Sequence, residues 1–177
     1  GTPGYYMTFS RIIDAKEPLN GPLGAVSSDA LHKIVGAVGN AAPVSAALGD
    51  VWEHDLVFGG RSGDILMSLD SASINGPSPM QALAFALAGC MAMDVVHVVT
   101  KGRLDLRGLR ADLTGQRAAD DPHRFTAIEM HYTITGDVPA ERVERAIQLS
   151  RDKYCSVWHS MRQDIDLKVT YTITPGI

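Results

Sequence analysis

Two cysteines in 177 residues cannot make a disulfide framework, and a chain of this length buries enough surface to fold without staples. The chain lacks a charge excess as well. Sixteen Lys and Arg stand against 20 Asp and Glu, a net charge of −4, which leaves no electrostatic footprint for a nucleic-acid backbone or an anionic membrane. GxSxG, Walker and HExxH patterns are missing, and so are the CxxC and HxxxH clusters of structural zinc sites. Gly59-Gly60-Arg61 has neither the spacing nor the strand-to-helix position of a nucleotide fingerprint. There are no repeats and no low-complexity tract. No basic segment followed by an apolar core opens the chain, so no secretory leader is expected and the location is read as cytoplasmic.

What remains is an ordinary globular composition, 45% hydrophobic and 20% charged, which favours a packed domain over disorder. Residues 1–50 differ from the rest: they are rich in Gly, Ala, Pro and Ser, with little strand periodicity. They are read as an extension or arm, with Gly1–Tyr6 set aside as sequence ahead of Met7. Asp29 is placed as the cap of a short helix with Leu31, Ile34, Val35 and Val38 on one face. Residues 51–177 are read as the folded domain.

In that domain Val51–Phe58 and Asp64–Asp70 read as strands joined by a turn at Gly59–Gly63. Ser78 is placed as an N-cap, with Pro79 at the first helical position. The helix that follows runs to about Thr100. Its Met80–Val99 run is long enough to span a bilayer, but Gln81, Asp94 and His97 interrupt it, so it is read as a buried central helix. Leu104–Arg117 and Arg124–Thr135 are the next strands; Ile128, Met130, Tyr132 and Ile134 alternate on one face of the second. Pro139 opens a second helix, a short helical piece follows near Cys155–Gln163, and Ile165–Ile173 is the last strand. This order is that of an α+β fold with mostly antiparallel sheets. A helix apolar on nearly every side needs cover on nearly every side, so a dimer with a shared core is expected.

Chemistry concentrates in a few residues. Cys90 sits inside the apolar helix, with Asp94 at i+4 and His97 at i+7 on its face. Asp94 is the only formal charge between Gln81 and Thr100, and a carboxylate there needs a partner or a task. The bland reading is a buried Asp bonded to nearby donors. Cys155 lies in Lys153-Tyr154-Cys155-Ser156-Val157, at the start of a helical turn near a Lys, a setting that lowers a thiol's pKa. Two inert buried thiols are the alternative. The cysteines stand 65 positions apart, so spacing does not show that they meet. Cys90 with His97, and Cys155 with His159, share faces, but without zinc-type clustering no metal and no cofactor are assigned.

Two stretches carry a resemblance. One runs from Pro77-Ser78-Pro79-Met80 to Ala88-Gly89-Cys90-Met91-Ala92-Met93-Asp94-Val95-Val96; the other is Asp152-Lys153-Tyr154-Cys155-Ser156-Val157. In motif and order the chain resembles the OsmC/Ohr family, in particular its Pro-Ser-Pro-Met and Lys-Tyr-Cys-Ser-Val subgroup, from about Asp50 to Ile173. The resemblance implies an intertwined homodimer, with antiparallel sheets wrapped around long central helices and paired cysteines at the subunit interface. It implies a peroxidase for organic hydroperoxides, with Cys90 as the peroxidatic thiolate, Cys155 as the resolving thiol and an external lipoyl-like dithiol as reductant. The chain departs from the peroxidase branch at two places. Met80 stands where that branch carries Glu, ten residues before the first Cys, and Trp52–Leu56 holds no Arg where the branch's Arg is expected. Arg61, Lys153, Arg151 and Lys101 are the candidate substitutes, and Asp94 a candidate support. The second functional expectation is therefore a non-enzymatic stress protein that senses redox state or binds a small apolar ligand.

Overall fold

The computed structural model describes residues 5–12, 47–54, 56–62 and 65–175, with side chains described for 56–60 and 65–175. The expected helix from Asp29 lies outside the described residues. The chain divides into two compact units, one of residues 31–83 and one of residues 1–30 with 84–177.

Among the described residues the smaller unit holds three strands, which follow β1 (Tyr5–Ile12) of the larger unit along the chain. They are β2 (Ala47–His54), β3 (Val57–Ser62) and β4 (Ile65–Asp70), antiparallel in the order β2-β3-β4. The expected single strand Val51–Phe58 is thus two strands: the chain reverses so that Trp52 pairs with Phe58 and His54 with Val57. Gly59 and Gly60, expected in a turn, lie within β3 opposite Ser68 and Met67. A stretch with no punctuating Gly, Pro or Asn hides a reversal from period counting. After β4, Asp70 ties the loop: its carboxylate accepts from the backbone N–H of Ala72, Ile74 and Asn75 at 2.8, 3.1 and 2.9 Å. These donors hold the Asp70 carboxyl below the usual carboxylate range. The Ser78 backbone N–H then donates to Gln81 Oε1 (2.8 Å) and the Gln81 backbone N–H donates to Ser78 Oγ (3.3 Å). This reciprocal capping box starts α1 (Pro79–Lys101) where the sequence places it.

In the larger unit the sheet order is β1-β5-β6-β7, with β5 at Asp105–Arg117, β6 at Phe125–Asp137 and β7 at Asp166–Thr174. β1 pairs antiparallel with β5, from Tyr5 opposite Gly115 to Ile12 opposite Gly108. β6 and β7 run parallel, Ala127 opposite Asp166 through Thr135 opposite Thr174. A parallel pair needs a crossover, and α2 (Ala140–Leu149), a π-helical turn (Ser150–Tyr154) and α3 (Ser156–His159) supply it.

The period-two face of β6 is the core: Ile128, Met130, Tyr132 and Ile134 are all buried, with Leu109, Ala111 and Leu113 of β5. Val143 and Ala146 of α2 are buried, as are Ala84, Leu87, Ala88, Met91, Val95, Val96 and Val99 of α1. Each buried Leu, Ile, Val or Met contributes about 1.5–3 kcal/mol relative to exposure. α1 is long and apolar enough to cross a membrane by length and composition, yet one side of it belongs to this core. Gly136, at φ 137°, sits where β6 crosses the backbone of Asp105, and a Cβ there would collide with the Asp105 carbonyl oxygen.

Candidate functional site

Cys90 and Asp94 lie one turn apart on α1, so both point the same way. The second half of the site comes from the crossover. After α2 the helix widens: the Cys155 backbone N–H donates to the Ser150 carbonyl at 2.9 Å, a five-residue step. Cys155 then turns to extended backbone (φ −69°, ψ 95°) and caps α3, its Sγ accepting from the Trp158 backbone N–H at 3.3 Å. Such π turns occur often at functional sites because they re-aim the side chains that follow. Here the re-aimed side chain is Cys155.

Both cysteines are free thiols; Cys155 is buried and Cys90 half-buried. The Cys90 and Cys155 sulfurs and an Asp94 carboxylate oxygen all lie within 4.8 Å of one another. The Cys155 thiol, the Val157 backbone N–H and the Ser156 side chain all favour the Cys90 thiolate. The Cys155 bond is the largest influence on Cys90. With the other two it outweighs burial and the Asp94 charge, and the Cys90 thiol falls to about 6. Cys155 moves the other way, because it donates its proton to Cys90 and is buried. Their interaction thus favours the thiolate at Cys90 and the thiol at Cys155.

Asp94 is 7% exposed, and Ser150, fully buried, donates to its Oδ2 at 2.8 Å. Burial pushes the Asp94 carboxyl up, while the Ser150 bond and His97 pull it back. The bond pins α1 to the π turn that carries Cys155. Tyr132 completes the surroundings. It is wholly buried in β6, and its hydroxyl has no hydrogen-bond partner among the described residues. Burial and the charges of Cys155, Asp94 and Cys90 all push its phenol up, which sets it within electrostatic reach of all three.

The site thus brings together Cys90, Cys155 and Asp94. Lys153 stays out: it is exposed and its Nζ lies 5.6 Å from the centre of the Tyr154 ring. Arg61 pairs with Leu66 in β3, and its side chain lies outside the described residues. His159 is exposed, and the thiols gather around Asp94 rather than with His97 and His159. Two contributors escaped sequence reasoning. Tyr132 carried a signal, a hydroxyl on an otherwise apolar strand face; Ser150 carried none.

Residues 70–170 match the family model described as OsmC-like protein. Residues 7–63 match a second one, 4-HFC-P synthase. The chain is 36% identical over 126 residues to Protein YhfA of Escherichia coli K12, which covers 69% of this chain and 93% of that protein. Among solved structures, a hypothetical protein from Aquifex aeolicus superposes with a TM-score of 0.71 at 24% identity, covering 77% of this chain and 99% of that one. An organic hydroperoxide resistance protein OsmC from Legionella pneumophila gives 0.57 at 17% identity, covering 75% and 98%. By the extent of the family match and of the YhfA alignment, the chain belongs to the OsmC-like protein family.

Proposed function

We propose that the chain reduces organic hydroperoxides, with Cys90 as the attacking thiolate and Cys155 as the resolving thiol. The observation that carries this reading is the approach of two free sulfurs within 4.8 Å of each other, with the Cys90 thiol drawn down and the buried Cys155 thiol pushed up. The Cys90 sulfur attacks one peroxide oxygen and the O–O bond breaks. The leaving alkoxide takes a proton from water and departs as the alcohol, and the sulfur keeps the other oxygen as a sulfenic acid. Cys155 then attacks that sulfur, the S–O bond breaks, water leaves and a disulfide remains. An external dithiol returns both thiols by exchange. The Legionella relative's name points the same way. Trapping tests the order of events. Cys155→Ser exposed to one equivalent of cumene hydroperoxide should yield a dimedone adduct on Cys90, and Cys90→Ser should yield none. Adducts on Cys155 instead would reverse the roles.

One observation favours a second reading, in which the pair senses redox state or sits beside a bound apolar ligand without fast turnover. Among the described residues, the strongest influences on Cys90 are neutral donors and the negative Asp94, with no Lys or Arg. A peroxide's developing negative charge is best met by a cation, so thiol oxidation slower than alkylation would favour this alternative.

The dimer is part of the proposal. On α1, Leu83, Phe85 and Met93 are 36%, 37% and 53% exposed, although the other side of the helix is core. A second copy would cover that apolar side; light scattering should give twice the chain mass. We also take residues 51–177 as the OsmC-like domain and residues 1–50 as an extension. The OsmC-like match over residues 70–170 falls within that domain. Working thiols fit a reducing compartment such as the cytoplasm.

A further inference from the structure

We propose that reduced Cys90, Cys155 and Asp94 form a three-ligand site for a thiophilic divalent cation of the zinc class, exclusive with the Cys90–Cys155 disulfide. The proposal does not require peroxide turnover, only reduced thiols.

Geometry is the first argument. With Zn–S near 2.3 Å and Zn–O near 2.1 Å, ligand atoms of a tetrahedral site stand about 3.6–3.8 Å apart. The two sulfurs and the carboxylate oxygen already lie within 4.8 Å of one another, so rotations that move each atom by about an ångström close the set. Two of the ligands come from one face of α1 and the third from the turn that the Asp94–Ser150 bond holds in place. That bond occupies Oδ2, and Oδ1 has no donor among the described residues. A ligating carboxylate fixed by a neighbour's hydrogen bond is the usual way a protein orients a metal ligand.

The donor set is the second argument. Two sulfurs select a soft or borderline ion over magnesium or calcium, which demand oxygen ligands. Three protein ligands leave a fourth position for water.

The consequence is a reversible block on the thiol pair. A bound ion occupies both sulfurs, so neither can be oxidised until it leaves, and the disulfide form has no thiolate to offer.

The test is an anaerobic titration of the reduced full chain with cadmium, followed by its sulfur-to-metal charge-transfer absorbance, then competition by zinc. The expected result is one equivalent per chain, displaced by zinc, and no absorbance from the disulfide form. Cys90→Ser and Cys155→Ser should each lose most of the band. Ser150→Ala should keep the band and weaken affinity about 10-fold or more, while His97→Ala leaves affinity unchanged. One equivalent of zinc should also raise the melting temperature of the reduced wild-type chain, which guards against variants that do not fold. The proposal is overturned if reduced wild type gives no band, or if binding survives loss of either cysteine. It is also overturned if the disulfide form binds equally well. Peroxide-driven thiol loss, measured separately without metal, can fail or succeed whatever the titration shows.

Discussion

Replacing Cys155 by Ala removes the donor that most depresses Cys90. The Cys90 midpoint should then climb from about 6 toward the ordinary cysteine value of about 8.5. At pH 7 a thiol of pKa about 6 is roughly 90% ionised and one of pKa about 8.5 roughly 3%, a loss of about 30-fold in thiolate. The more basic thiolate is also the better nucleophile. With a Brønsted slope of about 0.4–0.5, a rise of about 2.5 in pKa returns a factor of roughly 10–18. The net rate at pH 7 therefore falls only about two- to three-fold, whereas the plateau at high pH rises more than about tenfold. The assay is the rate of Cys90 alkylation by iodoacetamide between pH 5 and 10, with the modified residue identified by mass spectrometry. A wild-type midpoint at 8 or above would refute the shared-proton account. A variant midpoint unmoved from 6 would show that some other group holds the charge.

Asp94→Asn should keep the fold, since the amide oxygen still accepts from Ser150, and should lower the Cys90 midpoint further by removing a negative neighbour; circular dichroism and the alkylation profile check both. Asp94→Ala leaves the buried Ser150 hydroxyl unpaired and should cost about 1–3 kcal/mol in denaturant unfolding. The Asp94 carboxyl is raised by burial, so its burial favours the folded state below its unfolded pKa, and that contribution is lost as pH rises through the folded value. Unfolding of wild type and Asp94→Asn should therefore diverge in the mildly acidic range, with the Asn variant gaining relative stability as pH rises. Tyr132→Phe removes a buried hydroxyl without a partner among the described residues, so the melting temperature should hold or rise; a clear fall would show that the hydroxyl has a bond in solution. Gly136→Ala forces a side chain into the Asp105 carbonyl at positive φ and should destabilise by more than about 1 kcal/mol in the same unfolding assay.

Much of the fold was legible because period-two and helical patterns are local. The apolar side of β6 alternates without a break and all four of its predicted inward residues are buried. The Ser78–Gln81 cap is a four-residue signal and was read at its place. What the pattern hid was non-local or unpunctuated. The reversal between β2 and β3 carries no Gly, Pro or Asn, and the pairing of β1 with β5 is a contact over about a hundred residues that no window sees. The π turn is one extra residue in a helix, invisible to period counting, yet it aims Cys155. The cysteines themselves stood out by type and motif. Which of them carries the charge did not, because that depends on which sulfur donates to the other.

The measurement that tests the central claim most directly is stopped-flow oxidation of the reduced protein by cumene hydroperoxide and by hydrogen peroxide, with thiols counted before and after. The account predicts rapid loss of two thiols per chain, faster with the organic peroxide, and an intramolecular Cys90–Cys155 disulfide in the product. Slow loss, or loss of a single thiol, would contradict it.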